Sequence, residues 1–143
     1  MPLKIIREDI VKLKCDAIVN PTNASLLPTG GADAAIHRAA GEELARAVSE
    51  LGEIPVGGAA ITHGFGLPAR FVIHTVGPRW SGGGEGEVER LSSCYRSVLS
   101  LAARHGLSSV ALPLISSGEG GFPPELALSV ATSAISAFLM HEV

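Results

Sequence analysis

Apolar and polar positions along this chain repeat with two different periods, and segments of the two kinds alternate. Short runs with β-like composition occupy residues 3–7, 17–19, 59–62, 71–76 and 110–112. Between them the apolar spacing becomes helical. Leu44, Val48 and Leu51 recur on one face of residues 42–51. Val88, Leu91, Tyr95, Val98, Leu99 and Ala102 do the same over residues 87–105. Residues 126–139 form a further helical segment, with Pro123 and Pro124 suited to its first turn. Asp33 opens an alanine-rich stretch, and an acidic residue favours a helix start. Gly106 is placed to close the helix that begins at Glu87. Strands alternating with helices predict an α/β sandwich, and neither an internal repeat nor a domain linker interrupts it.

Composition narrows the possibilities. The chain has 143 residues, 46% of them hydrophobic and only 17% charged, which fits one ordered domain. Aromatics are 4%, so aliphatic residues must fill the core. The formal net charge is −3, and the basic residues Lys4, Arg7, Lys12 and Lys14 are interrupted by Glu8, Asp9 and Asp16. Such a face is solvated rather than a nucleic-acid stripe, and nucleic acid is not an expected partner. Cys15 and Cys94 lie in no metal-binding or redox spacing and are expected as buried free thiols, with no metal site. The first residues lack the apolar stretch of a signal peptide and no apolar run is long enough to span a bilayer, so a cytoplasmic protein without membrane contact is expected.

Two loops carry the candidate chemistry. One spans residues 20–32, the other residues 113–122, and each leads from a strand into a helix. In open α/β sheets ligands bind at the carboxyl ends of strands, and helix N-termini offer unpaired N–H groups to anions. Gly30, Gly31, Gly118, Gly120 and Gly121 would let a diphosphate approach the backbone. Tight turns without a ligand are the simpler explanation of either loop alone.

Their order along the chain adds a resemblance. Asp16 to Asn23 (DAIVNPTN), Gly30 to Gly41 (GGADAAIHRAAG), Leu67 to Pro78 (LPARFVIHTVGP), and Ala111 to Gly118 (ALPLISSG) followed by Phe122-Pro123 resemble the macro domain family in four successive segments. The closest group is the macro domains that hydrolyse ADP-ribose esters and mono-ADP-ribosylated carboxylates. The resemblance implies a three-layer α/β/α sandwich with a mixed central sheet, ADP-ribose or a derivative as ligand, an ADP-ribosylated protein as a further partner, and no cofactor. It implies that Asp9 accepts from the adenine amino group and that Ile10 donates its N–H to the same base. Asn20, Gly30, Gly31 and Ala32 would lie at the ligand. Ser117, Gly118, Glu119, Gly120 and Gly121 would wrap the diphosphate, and Phe122 would line the pocket or its wall. Asn23 and Asp33 match the catalytic positions, where a carboxylate beside a polarising amide orients a water. Without the resemblance, Asp9 reads as a surface charge or helix cap, while Asp33 reads as a helix cap and Asn23 as an Asx-turn. His37 reads as a packed or surface histidine, and His63 and His74 as structural.

The chain departs from the family pattern at several positions. Pro21 and Thr22 separate the paired asparagines, where two alanines are usual, and Ala32 replaces a larger aliphatic residue. The second loop reads Gly118-Glu119-Gly120-Gly121, without the aromatic expected to pack on the distal ribose. Relatives usually add another strand and helix after the last segment, so either the module is trimmed or the full protein is longer. A non-catalytic ADP-ribose reader is therefore the alternative to a hydrolase. A Rossmann fingerprint at Gly64-Phe65-Gly66 fails because a strand, not a helix, follows it. Ser116 lacks a complete nucleophile elbow.

Overall fold

A computed structural model describes residues 3–22, 31–118 and 120–141. Among the described residues four strands, β1 (Ala17–Thr22), β2 (Ala59–His63), β3 (Phe71–Val76) and β4 (Val110–Ala111), form one sheet in the order β2-β3-β1-β4. β1 runs parallel to β3 and β4, and β2 runs antiparallel to β3. Helices α1 (Gly31–Ala40) and α2 (Glu42–Leu51) cover one face, and α3 (Glu87–Arg104) and α4 (Pro124–His141) the other. This is the expected three-layer sandwich with a mixed sheet.

The period-two alternation of the strands divides the core. Ala17, Val19 and Ile73 point to α3 and α4, where Leu91, Tyr95, Val98, Ala127 and Ile135 meet them. Ile18, Val72 and Val76 point the other way, onto Ile36, Leu44 and Val48. The helix spacing thus names the buried faces. α3 ends as the sequence indicates: Gly106 has φ +68°, its N–H reaches Ala103 O, and the Leu107 N–H reaches Ala102 O at 3.0 Å. The two bonds make a Schellman closure, which needs a residue tolerant of positive φ.

Two strand expectations need correction. Residues 3–7 form no strand; Leu3, Ile5 and Ile6 are exposed, and no described strand pairs with them. β-like composition without a hydrogen-bonded neighbour does not make a strand. The run at residues 110–112 is only two residues long, half-buried, and pairs with β1 alone. Leu112 precedes Pro113, which cannot donate to a ladder. No described helix is long and apolar enough to cross a membrane. Cys15 and Cys94 are free, and burial raises both thiol pKa values; Cys94 is fully buried and Cys15 partly.

Candidate functional site

Because β1, β3 and β4 are parallel, the loops that follow them leave the same edge of the sheet. At that edge lies a buried polar cluster on the α1–α2 face. Asp33, in the first turn of α1, is 2% exposed. Its Oδ1 accepts from Asn20 Nδ2 at 2.9 Å, and Thr22 Oγ1 donates to Oδ2 at 3.3 Å. His37, one turn on in α1, brings Nε2 to 3.5 Å from Oδ1. The i, i+4 spacing places both side chains on one helix face. Among the described residues no Lys or Arg pairs with Asp33.

Behind Asp33 the cluster continues into the sheet. Asn20 and His74 are register partners in β1 and β3, and both are fully buried. Asn20 Nδ2 lies 3.1 Å from His74 Nδ1, and His74 Nε2 lies 3.0 Å from Thr62 Oγ1 in β2. The carboxylate of Asp33 accepts only, so the amide nitrogen of Asn20 must face it. That nitrogen gives its second hydrogen to His74 Nδ1. His74 then carries its proton on Nε2 and donates to Thr62, whose hydroxyl donates to the His63 carbonyl at 3.1 Å. Burial, and less strongly the nearby His37, pushes His74 down to about 4, so the ring is neutral at neutral pH. Asn20 Oδ1 is buried with no partner among the described residues.

The second loop is clasped to the loop after β3. Ser116 Oγ donates to Pro78 O at 2.8 Å, the Trp80 N–H donates to Gly120 O at 2.7 Å, and the Phe122 N–H donates to Ser116 O at 2.9 Å. Ser116 holds φ +65°, an uncommon conformation for a side-chain-bearing residue and the kind of strain that accumulates at binding loops. Phe122 is buried against Trp80, with ring centroids 5.0 Å apart. Gly120 packs so tightly that a Cβ there would lie 2.8 Å from Ser116 Cα and its carbonyl oxygen. Glu87 fixes the loop after β3. Its carboxylate accepts from the N–H groups of Ser81, Gly83 and Glu85, and these bonds, the Ser81 one foremost, hold its pKa at about 2. Tyr95 anchors the start of the second loop by accepting the Ile115 N–H at 3.0 Å, and burial raises the phenol to about 12. Tyr95→Phe leaves that N–H buried without a partner and is expected to cost about 1–3 kcal/mol, read as a lower urea midpoint. An unchanged midpoint would show that the bond contributes nothing.

A family model described as "Macro domain" matches residues 19–131. A macro domain-containing protein of Ralstonia nicotianae is 51% identical over 133 residues, covering 93% of this chain and 78% of its own length. A Klebsiella pneumoniae protein named O-acetyl-ADP-ribose deacetylase is 46% identical over 140 residues, covering 95% and 80%. Among solved structures, a mutant of the Oceanobacillus iheyensis macrodomain with ADPR superposes with TM-score 0.90 at 43% identity, covering 94% of this chain and 76% of that one. The chain belongs to the macro domain family.

In this macro domain the sequence-derived site residues fall into three groups. Asn20 and Asp33 are joined directly, with Gly31 and Ala32 in the first turn of α1 beside them. Ser117, Gly118, Gly120, Gly121 and Phe122 lie in the clasped second loop, where Ser117 Oγ donates to Leu114 O at 2.8 Å. Asp9 caps a 3-10 turn at Ile10–Lys12 by accepting from the Val11 N–H at 3.3 Å, and this turn packs beside α1. Asn23, Gly30 and Glu119 lie outside the described residues. Sequence reasoning did not join His74 and Thr62 to the site. The signal was present, since Asn20 and His74 each follow three apolar residues at the start of a strand run. Two buried polar residues in neighbouring strands need each other.

Proposed function

We propose that this macro domain binds ADP-ribose and hydrolyses an acyl ester on its distal ribose, either O-acetyl-ADP-ribose or a mono-ADP-ribosylated carboxylate side chain. The observation that carries the proposal is the Asp33 carboxylate, held by Asn20, Thr22 and His37 at the start of α1 with no Lys or Arg paired to it among the described residues. The name of the Klebsiella pneumoniae relative and the ADPR in the Oceanobacillus iheyensis structure support the same substrate class. Asp33 takes a proton from water as the water oxygen attacks the acyl carbon, and the carbonyl oxygen receives the displaced electron pair. Collapse breaks the bond to the ribose oxygen, which takes the proton back. The products are the carboxylic acid and ADP-ribose. Asn23, which follows Thr22 in the sequence, is the amide expected to polarise the ester, and the glycines of the second loop are expected to receive the diphosphate on backbone N–H groups.

One observation favours a reader that binds without turnover. In its present conformation the second loop cannot take a side chain at Gly120, so the aromatic contact to the distal ribose is absent there. The deciding experiment is release of ADP-ribose from O-acetyl-ADP-ribose and from a mono-ADP-ribosylated glutamate peptide. Turnover supports the hydrolase; binding without turnover supports the reader.

The adenine end is tested separately. Asp9→Ala removes the proposed acceptor of the adenine amino group and is expected to weaken ADP-ribose binding about tenfold, the worth of one hydrogen bond to a charged group. An unchanged Kd by calorimetry would place the adenine elsewhere.

A further inference from the structure

Asp33 is held by His37 of its own helix and by Thr22 and Asn20 of β1, and among these partners Asn20 is the one joined to the buried His74. The orientation of Asn20 is decided further back. Its amide can turn end for end at little steric cost, and only its bonding partners distinguish the two states. The turned state would set Oδ1 against the Asp33 carboxylate and displace it. We propose that His74 is a positioning residue for the hydrolysis proposed above: its Nδ1 lone pair holds the Asn20 amide in the orientation that fixes the Asp33 carboxylate. The inference rests on that hydrolase assignment for its catalytic meaning.

Three features support it. The register places His74 directly beside Asn20, with Nδ1 at 3.1 Å. Thr62 holds Nε2 at 3.0 Å and spends its own proton on the His63 carbonyl, so the ring proton is held on Nε2 and Nδ1 stays an acceptor. All three side chains are buried, so water does not supply a competing partner cheaply. A purely structural role, pairing two buried polar groups to set the β1–β3 register, predicts something different, and the difference is measurable.

The test compares two isosteres. His74→Asn places an amide oxygen close to the position of Nδ1 and loses the contact to Thr62. His74→Gln reaches Thr62 and loses the acceptor facing Asn20. For positioning, His74→Gln is expected to lower kcat for O-acetyl-ADP-ribose by about tenfold or more with KM nearly constant, and His74→Asn by about threefold or less. Calorimetric Kd for ADP-ribose and Tm are measured on the same samples. NMR of the Asn20 side-chain amide is expected to show wild-type signals in His74→Asn and shifted ones in His74→Gln. Equal loss of kcat in both variants, loss that merely follows Tm, or an imidazole proton found on Nδ1 in the wild type would overturn the proposal. If the wild type binds ADP-ribose but does not turn over, the hydrolase assignment fails, and the amide signals then decide whether His74 orients Asn20. If neither His74 variant folds, Thr62→Val frees the tautomer while keeping the ring. It is expected to lower kcat about threefold at constant KM, and full activity would overturn the proposal.

Discussion

Asp33→Ala is expected to lower ester turnover by about 10²- to 10⁴-fold, the usual contribution of a positioned general base, while ADP-ribose still binds. In the proposed reaction the carboxylate takes a proton from water while its neighbours hold it still. Asn20, Thr22 and His37 all approach it, and of the three only His37, with Nε2 3.5 Å from Oδ1, carries a basic nitrogen. Removing the side chain also leaves the buried Asn20 amide short of an acceptor, at a cost of about 1–3 kcal/mol. Asp33→Asn separates the two effects, since its amide oxygen still accepts from Asn20 but cannot serve as a base. Both variants are expected to be inactive, with the second the more stable. Retained turnover in a folded Asp33→Asn variant would remove Asp33 from the reaction and return it to its role as a first-turn helix residue.

Stability is expected to fall in two separate steps as the pH is lowered. His74 has an ordinary value of 6.5 and is held at about 4 in the fold, chiefly by burial. Between these values the unfolded chain takes up a proton that the folded chain refuses. The stability is therefore complete above pH 6.5, declines as pH falls through that window, and levels off below about 4. The loss is on the order of 3 kcal/mol, a large share of the stability of a small domain. Glu87 acts lower. Its carboxyl moves from 4.5 to about 2 through the bonds from Ser81, Gly83 and Glu85, so its contribution is present above 4.5 and is lost as pH falls toward 2. Urea unfolding of the wild type and His74→Gln at several pH values checks the first step. The variant should lack the decline between 6.5 and 4. Parallel declines in both proteins would assign it to other groups.

The two predicted acid steps and the polar cluster around Asp33 trace back to residues whose importance the sequence expressed unequally. Residues 87–105 and 42–51 disclosed their buried faces through spacing alone, because a helix is a local structure and its inward stripe is fixed by a period of 3.6. Gly106 marked a helix end and Asp33 a first helical turn for the same reason: end effects act within one turn. The four family segments likewise placed both loops and named Asp33. None of this required knowing what lay across the sheet. Residues 3–7 show the limit, since their composition is that of a strand and no described strand adjoins them. The length of β4 was equally hidden, because an edge strand extends only as far as its single neighbour pairs with it. The clasp of Trp80 on Gly120 joins loops forty residues apart in the chain. The link from Thr62 through His74 and Asn20 to Asp33 depends on register, and a slip of one residue would turn His74 to the opposite face. By itself, then, the sequence determined the helices, the glycine closure of α3 and the family, and it singled out Asp33. Only the tertiary structure decided which buried polar groups meet, because hydrogen bonds across a sheet are set by strand order and register, and neither is a local property of the chain.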